Sequence, residues 1–307
     1  DHTLDDNLLP SKLHPKGEFP YRPPTTNVGD LDVLPPELQQ EILSQLDLRS
    51  LTVFQRVNRR ATELVNSLPQ YKTINTHALN ALRGILSIET GKWITYKTLY
   101  EKLCTLECEN YGDFGGYLYL LTYKRVCFLC FSQDRLYLPL SPRLAKRKFG
   151  LCSRTVNTLP CMKVIYGKYS PNVKNVYTPS VLVDYKSALH AGIALHGSLS
   201  AMHEYVAKME DQKCKAHNAK QSSPTSGHPR RTLTLNPFDK QSGNPFRFVA
   251  IVHVTWFNRA SQEVVQGFHC VGCEKSCRLP LHYRRKFIAT SFDNHLKRFG
   301  SIQNGKH

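Results

Sequence analysis

The sequence predicts an α+β protein, with three short helices near the N-terminus followed by a mixed region of helices and β-hairpins held by cysteine knuckles. Three observations predict it. Apolar residues recur at helical spacing between Leu38 and Leu68. β-rich runs follow a glycine-rich turn at Gly112-Asp113-Phe114-Gly115-Gly116. Cysteines also come in close pairs, Cys127 with Cys130 and Cys270 with Cys273.

The first helix opens at Pro35-Pro36, where a missing backbone N–H costs little, and Glu37 and Glu41 suit the positive end of its dipole. Leu38, Ile42 and Leu46 follow at four-residue spacing with Leu43 beside them, which makes one apolar stripe. Asp47 and Ser50 are cap or turn residues before a second helix carrying Leu51, Phe54 and Val57. A third helix is expected from about Asn58 to Ser67, burying Ala61, Leu64, Val65 and Leu68. Three helices in roughly 40 residues enclose too little surface to be stable alone. Their stripes need either a partner protein or the rest of the chain.

The run Leu34-Pro35-Pro36-Glu37-Leu38, with Val57-Asn58-Arg59-Arg60 downstream, resembles the F-box, a three-helix docking module. The resemblance implies docking on the Skp-family adaptor of SCF ubiquitin ligases and, through it, the cullin scaffold. Its contacts, carried over by position, are Leu34, Pro35, Leu38, Ile42, Leu46, Leu51, Phe54 and Val57. Ala61 departs from the pattern, since an aromatic residue often follows the basic pair, and this is expected to loosen the third helix. On the stripe alone, the alternative is an ordinary helical hairpin inside a larger core.

Composition bounds the remainder. A chain of 307 residues has room for about two domains, and 41% hydrophobic residues with 10% aromatic mark a folded protein. No apolar run approaches the roughly 18 residues that span a membrane. The first residues are Pro-rich and acidic, unlike a signal peptide, and the chain opens on Asp1 rather than Met, the pattern of a processed, excised or partial chain. Ten cysteines are too sparse for a disulfide scaffold, so paired cysteines point to metal in a reducing compartment, cytoplasmic or nuclear.

The formal charge of +17 is concentrated: eleven Lys or Arg from Lys124 to Lys174 face the single acid Asp134. Seven more lie in the last 30 residues against Asp293. Such a surface attracts nucleic acid, acidic lipid or acidic protein, although no aromatic-interleaved RNA motif or recognition helix accompanies it.

The expected organisation is a mobile Pro-rich tail (1–30), the three-helix unit (31–75) and a helical and cysteine-knuckle region (76–213). A flexible insertion (214–245) follows, then a hairpin, a second knuckle and a basic C-terminal helix (246–307). Within these, helices are expected at His77–Ile88, Thr95–Cys104, Ser141–Lys148 and Asp184–Lys213, and strands at Tyr117–Thr122 and Arg125–Phe131. Phe246–Phe257 and Val264–Cys270 read as two arms of a hairpin.

Zinc takes four ligands in a tetrahedron, and two tight cysteine pairs supply them when a hairpin brings the pairs together. Cys104 and Cys108 lie about 20 residues before Cys127 and Cys130, with Gly115-Gly116 and the strands as the hairpin. Alternatively Cys104 and Cys108 are buried core thiols, while a thioredoxin-type role lacks its β-α-β frame. The second set is Cys270 and Cys273 with His295, its fourth ligand being Cys277 or His307; His282 is a further candidate. Gly272 would let this knuckle turn. Up to two structural zinc ions are expected.

A second resemblance covers roughly 31–307, the insertion excepted. Ala78-Leu79-Asn80-Ala81-Leu82-Arg83-Gly84-Ile85-Leu86-Ser87, Gly112-Asp113-Phe114-Gly115-Gly116-Tyr117-Leu118-Tyr119-Leu120-Leu121, Arg125-Val126-Cys127-Phe128-Leu129-Cys130, Lys148-Phe149-Gly150-Leu151 and Gly267-Phe268-His269-Cys270-Val271-Gly272-Cys273 are similar to a family of fungal F-box proteins. That family implies a Cys near 111 and a ligand near 299, where this chain has Tyr111 and Phe299. Either Cys104 and His307 substitute, or one or both metal sites have decayed in this chain.

Three functions follow as expectations. The first is a non-catalytic substrate-recognition subunit of an SCF-type ubiquitin ligase, binding an unknown protein substrate through its C-terminal region. It accords with the absence of P-loop, G-x-S-x-G and H-E-x-x-H motifs. The second is a zinc-stabilised basic nucleic-acid-binding protein. The third is a metalloenzyme with an open zinc position, which would need an acid–base partner beside the metal.

Overall fold

The chain forms thirteen α-helices and nine short strands among the described residues, and its architecture is α+β. The computed structural model describes residues 2–8, 26–169, 180–220, 244–274 and 281–307.

The N-terminal helices are α1 (Pro36–Gln45), α2 (Leu48–Gln55) and α3 (Arg59–Ser67), followed by α4 (Pro69–His77), α5 (Leu79–Ser87) and α6 (Tyr96–Leu103). Asp47 caps α2 by accepting from Ser50 N, and Asn58 caps α3 by accepting from Ala61 N at 2.8 Å. Asn58 also donates to Asn27 O, and Arg60 pairs with Asp32 at 2.8 Å. The expected loosening at Ala61 is therefore corrected. Ala61 is wholly buried, and the cap and ion pair hold the helix start without an aromatic side chain.

β1 (Tyr117–Tyr119) and β2 (Lys124–Val126) form an antiparallel hairpin. The expected strand through Phe131 stops at Val126, because Cys127 begins the short helix α7 (Phe128–Gln133). Next come α8 (Pro142–Phe149), capped by Ser141 and stopped by Gly150 in the left-handed region, and α9 (Ser153–Thr158). β3 (Cys161–Lys163) pairs with β4 (Val181–Val183), and α10 (Tyr185–His196) turns back at Gly197 (φ 85°) into α11 (Leu199–Lys220). The single helix expected from Asp184 to Lys213 is thus two packed helices, broken where only glycine adopts the turn without strain. Helix α11 extends into the expected insertion as far as Lys220, and residues 221–243 lie outside the described residues.

The chain returns as β5 (Ile251–His253), which pairs with β1 to give the sheet order β2-β1-β5. The long hairpin expected over 246–270 is accordingly split. Only β6 (Trp256–Phe257) and β7 (Val264–Val265) pair with each other, and β8 (Phe268–His269) pairs instead with β9 (Lys286–Phe287). The short helix α12 (Val271–Glu274) follows β8, and α13 (Ala289–Phe299) follows β9.

One large core runs from the N-terminal helices through the sheet, joining Leu43, Leu51 and Val65 to Leu99, Leu118 and Val252. A second lies between α8, α9, β4 and α10, and a third surrounds Cys270, Cys273 and Phe287. No separate boundary at 75/76 is visible, because α4 and α6 pack together and share the first core.

The expected mobile tail needs correction at its start. Leu4 is wholly buried against Gly84, whose missing side chain leaves room for Leu4, Leu120 and Val252 within 3.3 Å of the Cβ position. Asp5 accepts from His253 N at 2.6 Å and from Asn80 at 2.9 Å. Residues 9–25, which hold all five of the tail's prolines, lie outside the described residues. Replacing Leu4 with Ala should destabilise the protein by about 2–5 kcal/mol, through lost burial and a residual cavity. Chemical denaturation of the two proteins reads this directly; equal midpoints would show that the segment contributes no packing.

Candidate docking face and metal centres

Helices α1 and α2 present opposite faces to different surroundings. Leu43, Leu48 and Leu51 are buried in the first core. Leu38 and Ile42, one turn apart on α1, remain 52% and 45% exposed, and Val53 and Val57 are 61% and 66% exposed. Pro35 is also exposed, Leu34 is half-buried, and Leu46 and Phe54 are half-buried against the core. Leu51 is therefore a support beneath the face rather than a contact on it. Val53 belongs to the face but was not anticipated, although its four-residue spacing from Val57 is the signal that marks it. A shallow depression of about 460 Å³ beside Val53 is lined by Leu46, Asp47, Arg49, Ser50, Phe54 and Lys92.

The second set of predicted residues gathers at the C-terminal end. The ligand atoms of Cys270, Cys273, His295 and His307 all lie within 4.8 Å of one another. His307 Nε2 stands 3.1 Å from Cys270 Sγ and 3.4 Å from Cys273 Sγ, and His295 Nε2 stands 3.5 Å from Cys273 Sγ. His307 Nδ1 donates to Gly300 O at 2.8 Å, so the free lone pair of Nε2 faces the cluster. Burial beside Phe287, Phe292 and Phe299, then the neighbouring His307, lowers the His295 pKa to about 4. His295 therefore stays neutral, the form that binds metal.

Gly272 has a role that its sequence position did not reveal. It is not in the left-handed region, and it sits within α12. A Cβ there would meet His307 Cδ2 at 2.8 Å, so its absence is the space His307 occupies. Two thiols and two imidazoles, one of them fixed by its hydrogen bond to Gly300 O, fit a metal ion, and the set is one that zinc favours. Phe299, where the family resemblance implies a ligand, instead sets its ring tilted against His295 at 4.8 Å. His282 stacks on His295 at 5.6 Å and stays outside the cluster, and Cys277 lies outside the described residues.

The first set is smaller than expected. Cys108, Cys127 and Cys130 are buried with their sulfurs within 4.8 Å of one another, and Cys108 Sγ is 3.2 Å from Cys130 Sγ. Cys127 stands between β2 and α7, Cys130 in the first turn of α7, and Cys108 in the hook before β1. Asp113 O accepts from Cys108 N at 2.7 Å and Gly112 N donates to Cys108 O, which closes that hook. Hydrogen bonds from Cys127 and then Cys130 hold the Cys108 thiol far below its ordinary pKa, and the same contacts push Cys130 up. Three buried thiols this close are a donor set that could hold a metal ion. Cys104 is not brought in. Its thiol hydrogen-bonds toward Arg259 and Tyr100, and its carbonyl accepts from Trp256 Nε1 at 3.1 Å.

The basic stretch does not make one face. Arg125 is wholly buried, and Lys124, Arg147 and Lys163 pair with Glu109, Glu210 and Glu89. No helix among the described residues is long and apolar enough to cross a membrane.

Comparison with known families adds one finding. The family model of the F-box domain matches residues 31–73. That segment is an F-box domain. No curated protein and no solved structure matches the chain. F-box domains typically bind Skp-family adaptors within SCF complexes, and the proteins that carry them are generally non-catalytic adaptors. The F-box here comprises α1 to α3 and the start of α4, with Leu38, Ile42, Val53 and Val57 as its open face.

A Gly272→Ala substitution should displace His307 and weaken metal binding at the C-terminal cluster, leaving the Cys108 group and the F-box unchanged. Metal content per chain, with circular dichroism as a fold control, measures this. Undiminished metal would mean that His307 does not need the space.

Proposed function

We propose that the protein is the substrate-recognition subunit of an SCF-type ubiquitin ligase. The observation that carries this reading is the F-box match together with the orientation of its helices. The inner face is filled by the chain's own core, so the exposed stripe of Leu38, Ile42, Val53 and Val57 is left for another protein. The Skp-family adaptor takes that stripe and links the chain to the cullin scaffold. The region after the F-box binds the protein substrate, and ubiquitin transfer belongs to other subunits, so this chain needs no nucleophile of its own.

Zinc holds the recognition region together in this reading. Cys270, Cys273, His295 and His307 would bind one ion, and Cys108, Cys127 and Cys130 another. The role of each ion is structural, and at the C-terminal group it would fix loops with little apolar burial of their own.

Co-purification with a Skp-family adaptor tests the docking claim. Leu38→Asp places a charge on a surface that must desolvate, and should weaken association by more than about 30-fold, while Leu38→Met should retain it. Association unaffected by the aspartate would refute the face, and no association of the native chain would refute the adaptor role. For the metals, near two zinc ions per chain are expected in protein purified without chelator, with Cys127→Ser and Cys270→Ser each losing one.

A further inference from the structure

The junction of α1 and α2 is flanked by a segment that lies outside the F-box match. Leu48 N donates to Ile94 O at 2.8 Å, Asp47 and Thr95 form an antiparallel bridge, and Lys97 pairs with Glu41 at 3.3 Å. The 3-10 turn Gly91–Trp93 packs beside the start of α2, so closely that a Cβ on Gly91 would stand 3.3 Å from Arg49 N. This turn is anchored at both ends. Thr90 is wholly buried and its carbonyl accepts from Trp93 N at 3.0 Å and from Tyr123 Oη, while Ile94 is buried in the first core.

The two residues between these anchors with large side chains are exposed. Trp93 is 44% exposed, and Lys92 Nζ lies 4.8 Å from its ring centre. Lys92 also lines the depression beside Val53, whose other lining residues, Leu46, Arg49 and Phe54 among them, all belong to the F-box. The charge of that lining is one-sided. Arg49 and Lys92 are its cations, and its one carboxylate, Asp47, is engaged by Ser50 N at 2.9 Å and Ser50 Oγ at 2.7 Å.

We infer that the adaptor-binding surface extends past the F-box onto Lys92 and Trp93, and that the depression shared by Lys92 and α2 takes an acidic segment of the Skp-family adaptor. Continuity with the F-box face selects this occupant. An adaptor seated on Leu46, Val53 and Phe54 reaches the depression those residues line, and Lys92 is there to meet it. Two cations beside one engaged carboxylate complement negative charge. Trp93 adds a large side chain on a turn already fixed by burial, so little conformational freedom is lost when it is covered. The inference rests on the adaptor reading above.

The test measures binding of the intact chain to purified Skp-family adaptor. Trp93→Ala should weaken it about 10-fold, and Trp93→Phe less than about 3-fold. Lys92→Glu should weaken it about 5-fold at low salt, a loss that shrinks as salt is raised. Both positions are exposed, so denaturation midpoints should stay at the native value. In the native complex, where folding of a variant plays no part, Lys92 should be shielded from an amine-acylating reagent while Lys215 of α11, 76% exposed, keeps its reactivity. Binding that Leu38→Asp abolishes but that Trp93→Ala and Lys92→Glu leave at native strength would overturn the inference alone, as would full acylation of Lys92 in the complex. No binding of the native chain would overturn the adaptor reading on which it rests.

Discussion

The guanidinium of Arg125 is the interaction on which the rest of the arrangement depends. It lies wholly buried and donates to Gly115 O at 2.7 Å, Leu103 O at 3.1 Å and Thr255 O at 3.0 Å. Those carbonyls belong to the glycine turn before β1, the last turn of α6 and the segment after β5. One side chain therefore fixes the end of the helical region, the hook of Cys108 and the strand that arrives from far along the sequence. Burial lowers its pKa to about 10, which still leaves it charged at neutral pH. Carbonyls at a helix C-terminus carry partial negative charge and stand in for a carboxylate at Nε and Nη1, while Nη2 is buried without a hydrogen-bond partner among the described residues.

From that junction the two knuckles brace each other. Arg285, beside β9, pairs with Asp113 in the Cys108 hook, and Arg284 lies 4.2 Å over the ring of Phe128. Gly267, with φ of 66°, lets the chain pass against Phe114, where a Cβ would stand 2.8 Å from the ring. The C-terminal knuckle has a core of only three buried residues among the described ones, whereas Cys108, Cys127 and Cys130 belong to the first, large core. Small units of this kind draw stability from metal and from one another.

The F-box meets the same constraint differently. Its helices are too few to enclose a core, so the inner leucines join the core of the following helices and sheet. Leu48 N donates to Ile94 O at 2.8 Å, which ties the break between α1 and α2 to the segment before α6. The F-box is thereby packed directly against the helices and sheet that follow it.

Much of this was written locally in the sequence. Helix starts at Asn58, Thr95, Ser141 and Asp184, the stop at Gly150, and the paired cysteines all depend on residues near in the chain. The F-box helices were legible for the same reason, since apolar spacing and caps act within a few residues. Which side of α1 faces inward came only from the F-box resemblance, because Leu38, Ile42 and Leu43 are equally apolar and only packing against distant helices separates them. The pairing of β5 with β1, the burial of Leu4, the choice of His307 over Phe299 and the exclusion of Cys104 all join residues far apart in sequence. The local pattern determined the ligand types and the helices; the tertiary structure decided which of them meet, because meeting depends on loop closure and shared burial that no local spacing encodes.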